Sequence, residues 1–564
     1  MVLSAGATPF LFAIPAVAFA ALAAWHDRVL RALDRASRAV TFYEHGIARI
    51  DDEWHGIGET GERFLIPDHV YARDLDIFGP ASLFQLLSRA RTHLGEEVLA
   101  RWLSAPADAA TIRERQAAVV ELREALDFRE ALATAGGASR DIDTAALSVW
   151  ASARAQPESI WLRAAAVVLA IGIIATIAWW ARGGPMAPLL VVIVLKMILT
   201  RPSRTRVAGV VRGVERPLGQ LDILADTLSL IERSAFTSAR LQAIHAEIVS
   251  HAVVPSEAIR RLKRLVDLLD WRRNAVFAPV AVAVSWALHL AVEIQNWRRE
   301  FGPKVIVWLD AVAEYEALSS LAAYAYEHPD DPLPSFVEHS AAARFEGVSL
   351  GHPLVPAARM VRNDVFLTPQ TSLLIISGSN MSGKSTLLRT VGVNVVLAMA
   401  GGPVRAETLT LTPLAVGATL HVHDSLQAGR SRFFAEISRI RDLAALAGAG
   451  PARPRDGMGL LFLLDELFQG TNSHDRKIGA EALLLNLIDR GAIGLTTTHD
   501  LALTGIAAES RGRAVNVHFE DVLQDGELIF DYKMKPGPVT HSNALALMKA
   551  VGLPVSTVGR LEDA

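Results

Sequence analysis

The sequence predicts two kinds of architecture in one chain: an α/β domain with a mostly parallel sheet in the C-terminal third, and ahead of it an all-α region that contains transmembrane helices. Three observations carry this expectation. Hydrophobic residues make up 51% of the 564 and charged residues only 21%, a balance that prompts a search for membrane segments. The pattern from Val207 to Tyr326 is helical, whereas beyond Pro329, Pro332 and Pro334 short apolar runs alternate with helical stretches, the mark of βα units. One of those runs, Leu373-Leu374-Ile375-Ile376, opens directly into a glycine-containing loop followed by a helical stretch.

Taken in order, Ala5 to Trp25 carries no charge over about 30 Å of helix, enough to cross a hydrocarbon core. No Lys or Arg precedes it, and Arg28, Arg31, Arg35 and Arg38 follow, so the downstream side is expected in the cytoplasm. A second uncharged stretch, Ala164 to Ala181, ends in Trp179-Trp180, where indoles favour a membrane interface. Arg182-Gly183-Gly184-Pro185 turns the chain into Met186 to Thr200, apolar except for Lys196, which is expected to snorkel, and Arg201, Arg204 and Arg206 come next. These two stretches read as a hairpin. Ala275 to Val292 is also uncharged, but a further crossing would place everything after it outside. With Pro279, Ser285 and His289 in it, it is read as a buried helix of the helical region. Long amphipathic helices such as Leu99 to Leu126 fill the space between the first span and the hairpin, and Pro329 to Pro334 with Asp330 and Asp331 reads as a linker. The implied organisation is a transmembrane helix over 1–25, helical regions over 26–160 and 201–335, a transmembrane hairpin over 161–200, and an α/β domain over 345–554. Residues Gly448 to Gly459 read as an exposed loop in that domain.

Composition excludes several classes. With no cysteine, disulfides and thiolate-held metals have no part in the design. Lys plus Arg total 56 against 60 Asp plus Glu, so the net charge of -4 provides no global attraction for nucleic acid, and DNA contact requires a local patch. The cluster Arg201, Arg204, Arg206, Arg212 and Arg216 could grip DNA phosphates, but positive-inside anchoring or anionic-lipid contact explains it with fewer assumptions.

The loop after Leu373–Ile376 is Gly378-Ser379-Asn380-Met381-Ser382-Gly383-Lys384-Ser385, followed by Thr386. This is GxxxxGKS between strand and helix. Its glycines let backbone N–H groups close around phosphate, Lys384 supplies a point charge for β- and γ-oxygens, and the Ser385 hydroxyl ligates Mg²⁺. ATP and Mg²⁺ are therefore the expected ligands. Leu460 to Leu464 is a second buried strand ending in Asp465-Glu466, about 80 residues on, a Walker B arrangement in which Asp465 holds Mg²⁺ and Glu466 orients or deprotonates the attacking water. A third strand, Leu495 to Thr498, leads to His499, placed to sense a γ-phosphate.

Together these segments resemble the MutS family of ABC-type P-loop ATPases. Asn380-Met381 is similar to the middle of the family's GPNMGGKST, with Ser379 in place of Pro and Ser382 in place of Gly. Asp424 to Ser431 followed by Phe433-Phe434-Ala435-Glu436 resembles its signature segment, whose serine reaches the partner subunit's γ-phosphate, a role carried to Ser431. Gly470-Thr471-Asn472-Ser473-His474-Asp475 is similar to its dimer-interface run, Thr498-His499 to its switch histidine, and Tyr532 to Gly537 with Gly552-Leu553-Pro554 to its closing stretch. His352-Pro353 matches the opening, with the adenine-stacking aromatic replaced near Met360. Leu83-Phe84, Gly95, Trp102-Leu103, Pro106, Arg115-Gln116 and Ala118-Val119 echo the start of the family's lever region, whose continuation would be Leu309 to Ala322.

The resemblance implies an ATPase that works as a homodimer, with DNA as partner and a role in mismatch repair or recombination control, anchored by lipid contact in the inner membrane with the ATPase domain in the cytoplasm. The alternative is a membrane mechanoenzyme that uses the same motor on a protein partner without DNA. The family's mismatch wedge is Phe-x-Glu in a dedicated domain. Here Phe42-Tyr43-Glu44 sits in a helical stretch soon after the first span, and is read as coincidental.

Overall fold

The computed structural model describes residues 8–136, 144–153, 160–201, 208–210, 220–249, 253–337, 342–379, 382–420, 432–447, 458–468, 472–524 and 527–539. The chain divides into two compact units. One comprises Met1–His45, Arg89–Glu96 and Ala125–Ala317; the other comprises Gly46–Ser88, Glu97–Glu124 and Leu318–Ala564.

The described elements of the first unit are helical. They include most of α1 (Thr8–Ile50), and the first boundary falls inside α1 because that helix runs on past Trp25 without a break. The short α2 (Leu83–Leu87) belongs to the second unit, α3 (His93–Ser104) crosses a boundary, and α4 (Ala109–Glu124) lies wholly in the second unit. Then follow α5 (Leu126–Thr134), α6 (Thr144–Ser152), α7 (Ile160–Ala181), α8 (Ala187–Thr200), α9 (Gln220–Arg233), α10 (Ala239–Val249), α11 (Pro255–Asp270), α12 (Ala278–Ala283) and α13 (Trp286–Glu327).

Four expectations for this region are corrected. Leu99 to Leu126 is not one helix. It breaks after Ser104, where Pro106 cannot continue a helix and the Asp108 carboxylate accepts hydrogen bonds from the Ala110 and Thr111 N–H groups to start α4. Ala275 to Val292 is not a buried helix. Pro279 opens the six-residue α12, Ser285 turns left-handed at φ 54°, and α13 begins anew, leaving Val276 88% and Val282 74% exposed. Lys196 does not snorkel, because its ammonium donates to the carbonyls of Val282 (2.5 Å) and Ala283 at the end of α12. Nor is Pro329 to Pro334 a free linker. Asp331 is buried against Arg405 at 3.0 Å, the Val404 N–H donates to the Pro332 carbonyl, and Gln116 donates to that of Pro334.

Among the described residues one helix is long and apolar enough to cross a bilayer, Arg163–Ala181, while Ala187–Leu199 is apolar but shorter. Ala5 to Trp25 begins outside the described residues, and of the arginine cluster only Arg201 lies within them.

The residues that echo a lever region have packing roles. Gly95 is a glycine because a β-carbon there would fall 2.2 Å from Oε2 of Glu316. That carboxyl accepts from the Thr92 hydroxyl at 2.6 Å and from the Arg91 and Thr92 N–H groups, and burial pushes it up to about 7. In the second unit the Arg115 guanidinium lies 4.0 Å over the Trp102 ring, and Leu83, Phe84, Leu103, Ala118 and Val119 are buried.

The second unit holds two sheets. The expected parallel sheet has six strands in the order β10-β9-β4-β8-β7-β6, with β4 (Leu373–Ser377), β6 (Leu414–Thr419), β7 (Gly459–Leu464), β8 (Ile493–Thr498) and β9 (Ala514–Gln524) parallel and β10 (Glu527–Pro536) antiparallel at one edge. β4 and β7 read as near-continuous apolar runs because helices cover the sheet. These helices are α14 (Lys384–Ala400), α15 (Arg432–Leu446), α16 (Ser473–Asp489) and α17 (Ile506–Glu509). Phe462, Leu464, Leu484, Leu487 and Leu443 form one core cluster, each side chain contributing roughly 1.5–3 kcal/mol by leaving water.

The sequence did not announce the second sheet. It is a four-stranded mixed layer, β1-β5-β2-β3, from β1 (Ser335–Phe336), β5 (Thr408–Leu411), β2 (Phe345–Leu350) and β3 (Asn363–Leu367). Just after β2, His352 is buried with Nδ1 accepting the Leu354 N–H at 3.1 Å, and burial, then the Arg389 charge, push its pKa down to about 4. The folded ring stays neutral while an unfolded histidine protonates near 6.5. Its contribution is therefore complete above about pH 6.5 and lost as pH falls toward about 4, on the order of 2–3 kcal/mol over that window. Urea unfolding between pH 7.5 and 4.5 should show this slope, and His352→Gln should flatten it. An unchanged slope in the variant would assign the acid sensitivity elsewhere.

Candidate nucleotide site

The site gathers at the C-terminal ends of three adjacent parallel strands, β4, β8 and β7, where an α/β sheet presents its loops. From β4 the chain turns at Gly378 (φ 150°) and re-enters a helix through Gly383 (φ 101°), both left-handed positions that favour glycine. The loop therefore wraps the N-terminus of α14, where free N–H groups and the helix dipole favour an anion. Lys384, the first residue of α14, is buried, and its Nζ donates to the carbonyls of Gly378 at 2.8 Å and Ser379 at 2.7 Å. Burial pushes its pKa down, opposed by the charges of Glu466, Asp465 and Asp521. The Ser382 hydroxyl donates to the Ser379 carbonyl at 2.9 Å and braces the loop from inside.

Ser385 follows one residue later and donates to Oδ2 of Asp465 at 2.6 Å, joining the P-loop helix to the end of β7. The other carboxylate oxygen of Asp465 accepts from the Thr497 hydroxyl on β8, which also accepts the Glu466 N–H at 3.1 Å. Glu466 is left-handed at φ 52°, which turns its carboxylate toward Nε2 of His499. The His499 Nδ1 lies 3.1 Å from the Gly378 carbonyl and 3.5 Å from Lys384 Nζ. Lys384, Ser385, Asp465, Glu466 and His499, separated by up to 115 positions in sequence, thus form one contact network.

These residues fit a triphosphate with a divalent cation. Within the P-loop the Ser379 hydroxyl is buried with no hydrogen-bond partner among the described residues, and the Ser385–Asp465 pair offers the hydroxyl and carboxylate oxygens that suit a hard cation completed by phosphate oxygens. Thr386 continues the first turn of α14, where its carbonyl accepts from the Thr390 hydroxyl.

Two contributors were not singled out from sequence, and a third, Tyr532, enters there only as the start of the closing stretch. Thr497 orients both Walker B acids, and the signal for it was a threonine run at the end of a buried strand. Tyr532, left-handed at φ 51°, places its ring so close to Gly383 that a β-carbon there would meet it at 3.0 Å. Residues 70–76 brace the same domain. The Val70 carbonyl accepts the Ala418 N–H, Asp74 accepts from the Leu420 N–H and pairs with Arg439 of α15, and Asp76 pairs with Arg389 of α14 at 3.0 Å. Glu436, from the Phe-Phe-Ala-Glu run, is buried and accepts the Phe468 N–H at 2.6 Å, so this segment holds the turn after the Walker B acids. Asn380, Met381, Asp424 to Ser431, Gly470, Thr471 and Gly552 to Pro554 lie outside the described residues, as does the loop from Gly448 up to the start of β7.

Residues 374–564 match the family described as MutS domain V. By this match they form a MutS domain V. Among its MutS relatives, the DNA mismatch repair protein MutS of Geobacillus thermodenitrificans is 30% identical over 287 residues, 50% of this chain and 30% of the relative. The DNA mismatch repair protein MutS 2 of Haloarcula marismortui is 35% identical over 218 residues, 38% of this chain and 22% of the relative. The MutS protein of Lactococcus lactis is 31% identical over 255 residues, 44% and 29% respectively. The chain thus spans less than a third of the length of these relatives.

Proposed function

We propose that this chain is a membrane-anchored MutS-type ATPase that binds and hydrolyses ATP with Mg²⁺ as a homodimer and acts on DNA in repair or recombination control. The observation that carries the nucleotide part is the single network of Lys384, Ser385, Asp465, Glu466 and His499 around the N-terminus of α14. Magnesium-bound ATP supplies a γ-phosphoryl group open to in-line attack by water. Lys384 and the α14 N–H groups would hold phosphate oxygens, Ser385 and Asp465 would hold the cation, Glu466 would orient and deprotonate water, and His499, which contacts the Glu466 carboxylate, would sense the γ-phosphate.

Ser431 is assigned to the partner's site. Ser431 lies outside the described residues, and the assignment rests on the resemblance of Asp424 to Ser431 to the family's signature segment, whose serine reaches the partner subunit's γ-phosphate. Mixing a Ser431→Ala protein with a Lys384→Ala protein should restore about one working site per mixed dimer. Mixed dimers with no recovered hydrolysis would end the shared-site assignment.

Membrane anchoring is supported by the apolar length of α7 and its exposed Val168, Ile171 and Ile174, with Trp179 and Trp180 at one end, a pattern suited to lipid. The arginines after α1's apolar half and after α8 support the reading of a cytoplasmic ATPase domain beneath the inner membrane.

For DNA we expect phosphate-driven binding that weakens steeply with salt. Phe42-Tyr43-Glu44 lies inside α1, where the Tyr43 hydroxyl donates to Glu130 at 2.6 Å, a poor placement for a wedge. Preference for mismatched over matched duplex should therefore stay under about tenfold, or roughly 1.4 kcal/mol. Competition titrations at one salt concentration measure it. A hundredfold preference abolished by Phe42→Ala would reinstate the wedge, while no salt-sensitive binding at all would favour a membrane mechanoenzyme acting on protein.

A further inference from the structure

We propose that residues 274–292 form a re-entrant membrane element that dips into the cytoplasmic leaflet, breaks at Ser285 and returns to the face it came from, held there by Lys196. This rests on the membrane reading of α7 and α8 above. The segment carries no charge and is bracketed by Arg272 and Arg273 on one side and Glu293, Arg298 and Arg299 on the other. As one straight helix it would span about 28 Å and cross. The structure divides it instead into α12, only about 9 Å long, a left-handed Ser285, and the start of α13.

A broken helix in hydrocarbon leaves carbonyls without partners, which is tolerated only where protein groups satisfy them. Lys196 helps to meet this need, since its ammonium donates to the carbonyl of Ala283 and to that of Val282, which also accepts the Ser285 N–H at 3.3 Å. A lysine within an apolar helix, itself costly in a membrane, thereby acquires a structural reason. A second tether joins Arg163 to Glu293 at 2.9 Å. Both tethers reach the cytoplasmic ends of the hairpin. Arg163 is in the first turn of α7, and Lys196 lies four residues before the end of α8. A segment crossing the bilayer would have one end beside the turn at Arg182 to Met186.

The outer surface fits lipid. Val276, Val280 and Val282 are exposed, continuous in character with the exposed valines and isoleucines of α7 and α8. Trp271, Phe277 and Trp286 pack edge to face with centroids 6.0 and 5.3 Å apart, and the Trp286 indole donates to the Leu268 carbonyl, an aromatic group suited to the headgroup level. The odd number of crossings that a full span would add is thereby avoided, and the chain beyond Arg299 stays on the ATP-bearing side.

The natural absence of cysteine makes the test direct. Single variants Arg182→Cys, Arg273→Cys, Val280→Cys, Val282→Cys and Arg299→Cys of the full chain would be treated with a membrane-impermeant maleimide in right-side-out and inside-out vesicles. Asn274→Cys and Glu300→Cys replace any flank variant that fails to accumulate. We expect Arg273→Cys and Arg299→Cys to label from the cytoplasmic face only. Val280→Cys and Val282→Cys should label at under about a tenth of that rate from either face, and fully after denaturation. Labelling of the two flanks from opposite faces, or fast labelling of both valine positions in intact vesicles, overturns the re-entrant element. Arg182→Cys separates the two readings. Labelling from the outer face alone upholds the hairpin whatever the flanks do, and labelling from the cytoplasmic face removes the hairpin and the re-entrant element together.

Discussion

Replacing Lys384 by alanine should lower the affinity for ATP at least a hundredfold, about 2.7 kcal/mol. A charge-assisted hydrogen bond to phosphate contributes roughly 1.5–3 kcal/mol, and this ammonium is positioned for more than one. Its present bonds to the Gly378 and Ser379 carbonyls show that it also shapes the loop, so its loss removes both the charge and the cradle. Calorimetric titration with a non-hydrolysable ATP analogue and Mg²⁺ reads the effect, with thermal melting as the control for folding. Affinity within about threefold of the unaltered protein would take Lys384 out of the phosphate site.

Changing Glu466 to glutamine should leave nucleotide binding nearly intact and slow hydrolysis by about 10²- to 10⁴-fold, the range expected for losing a general base. The amide can keep a hydrogen bond to His499, and the main chain at φ 52° with its N–H on Thr497 is untouched by the side-chain change. Such a protein should accumulate as an ATP-bound dimer, seen by size-exclusion chromatography with light scattering. Single-turnover hydrolysis at the original rate would move the base role to another residue. Equal loss of binding and turnover would instead make Glu466 a structural member of the network.

The sequence by itself determined the β4–loop–α14 unit, the Walker B strand and the histidine after the third strand. Each is written in a contiguous stretch of ten or so residues, where strand-forming runs, glycines at left-handed positions and the residues that follow them are dictated by local geometry. The apolar lengths of α7 and α8 were legible for the same reason, since hydrophobicity along one helix is a local property.

What only the tertiary structure decided involves partners far apart in the chain. No local pattern tells that Thr497 steadies both acids of β7, that Asp74 and Asp76 brace helices more than 300 positions later, or that four short segments between residues 335 and 411 pair into a second sheet. The run from Ala275 to Val292 shows the limit most plainly. Its uncharged composition is compatible with a buried helix or a full span, and propensity does not choose between them. Its break at Ser285 becomes tenable because Lys196, far earlier in the chain, supplies hydrogen bonds to the Val282 and Ala283 carbonyls, a compensation that only a folded chain can bring into place.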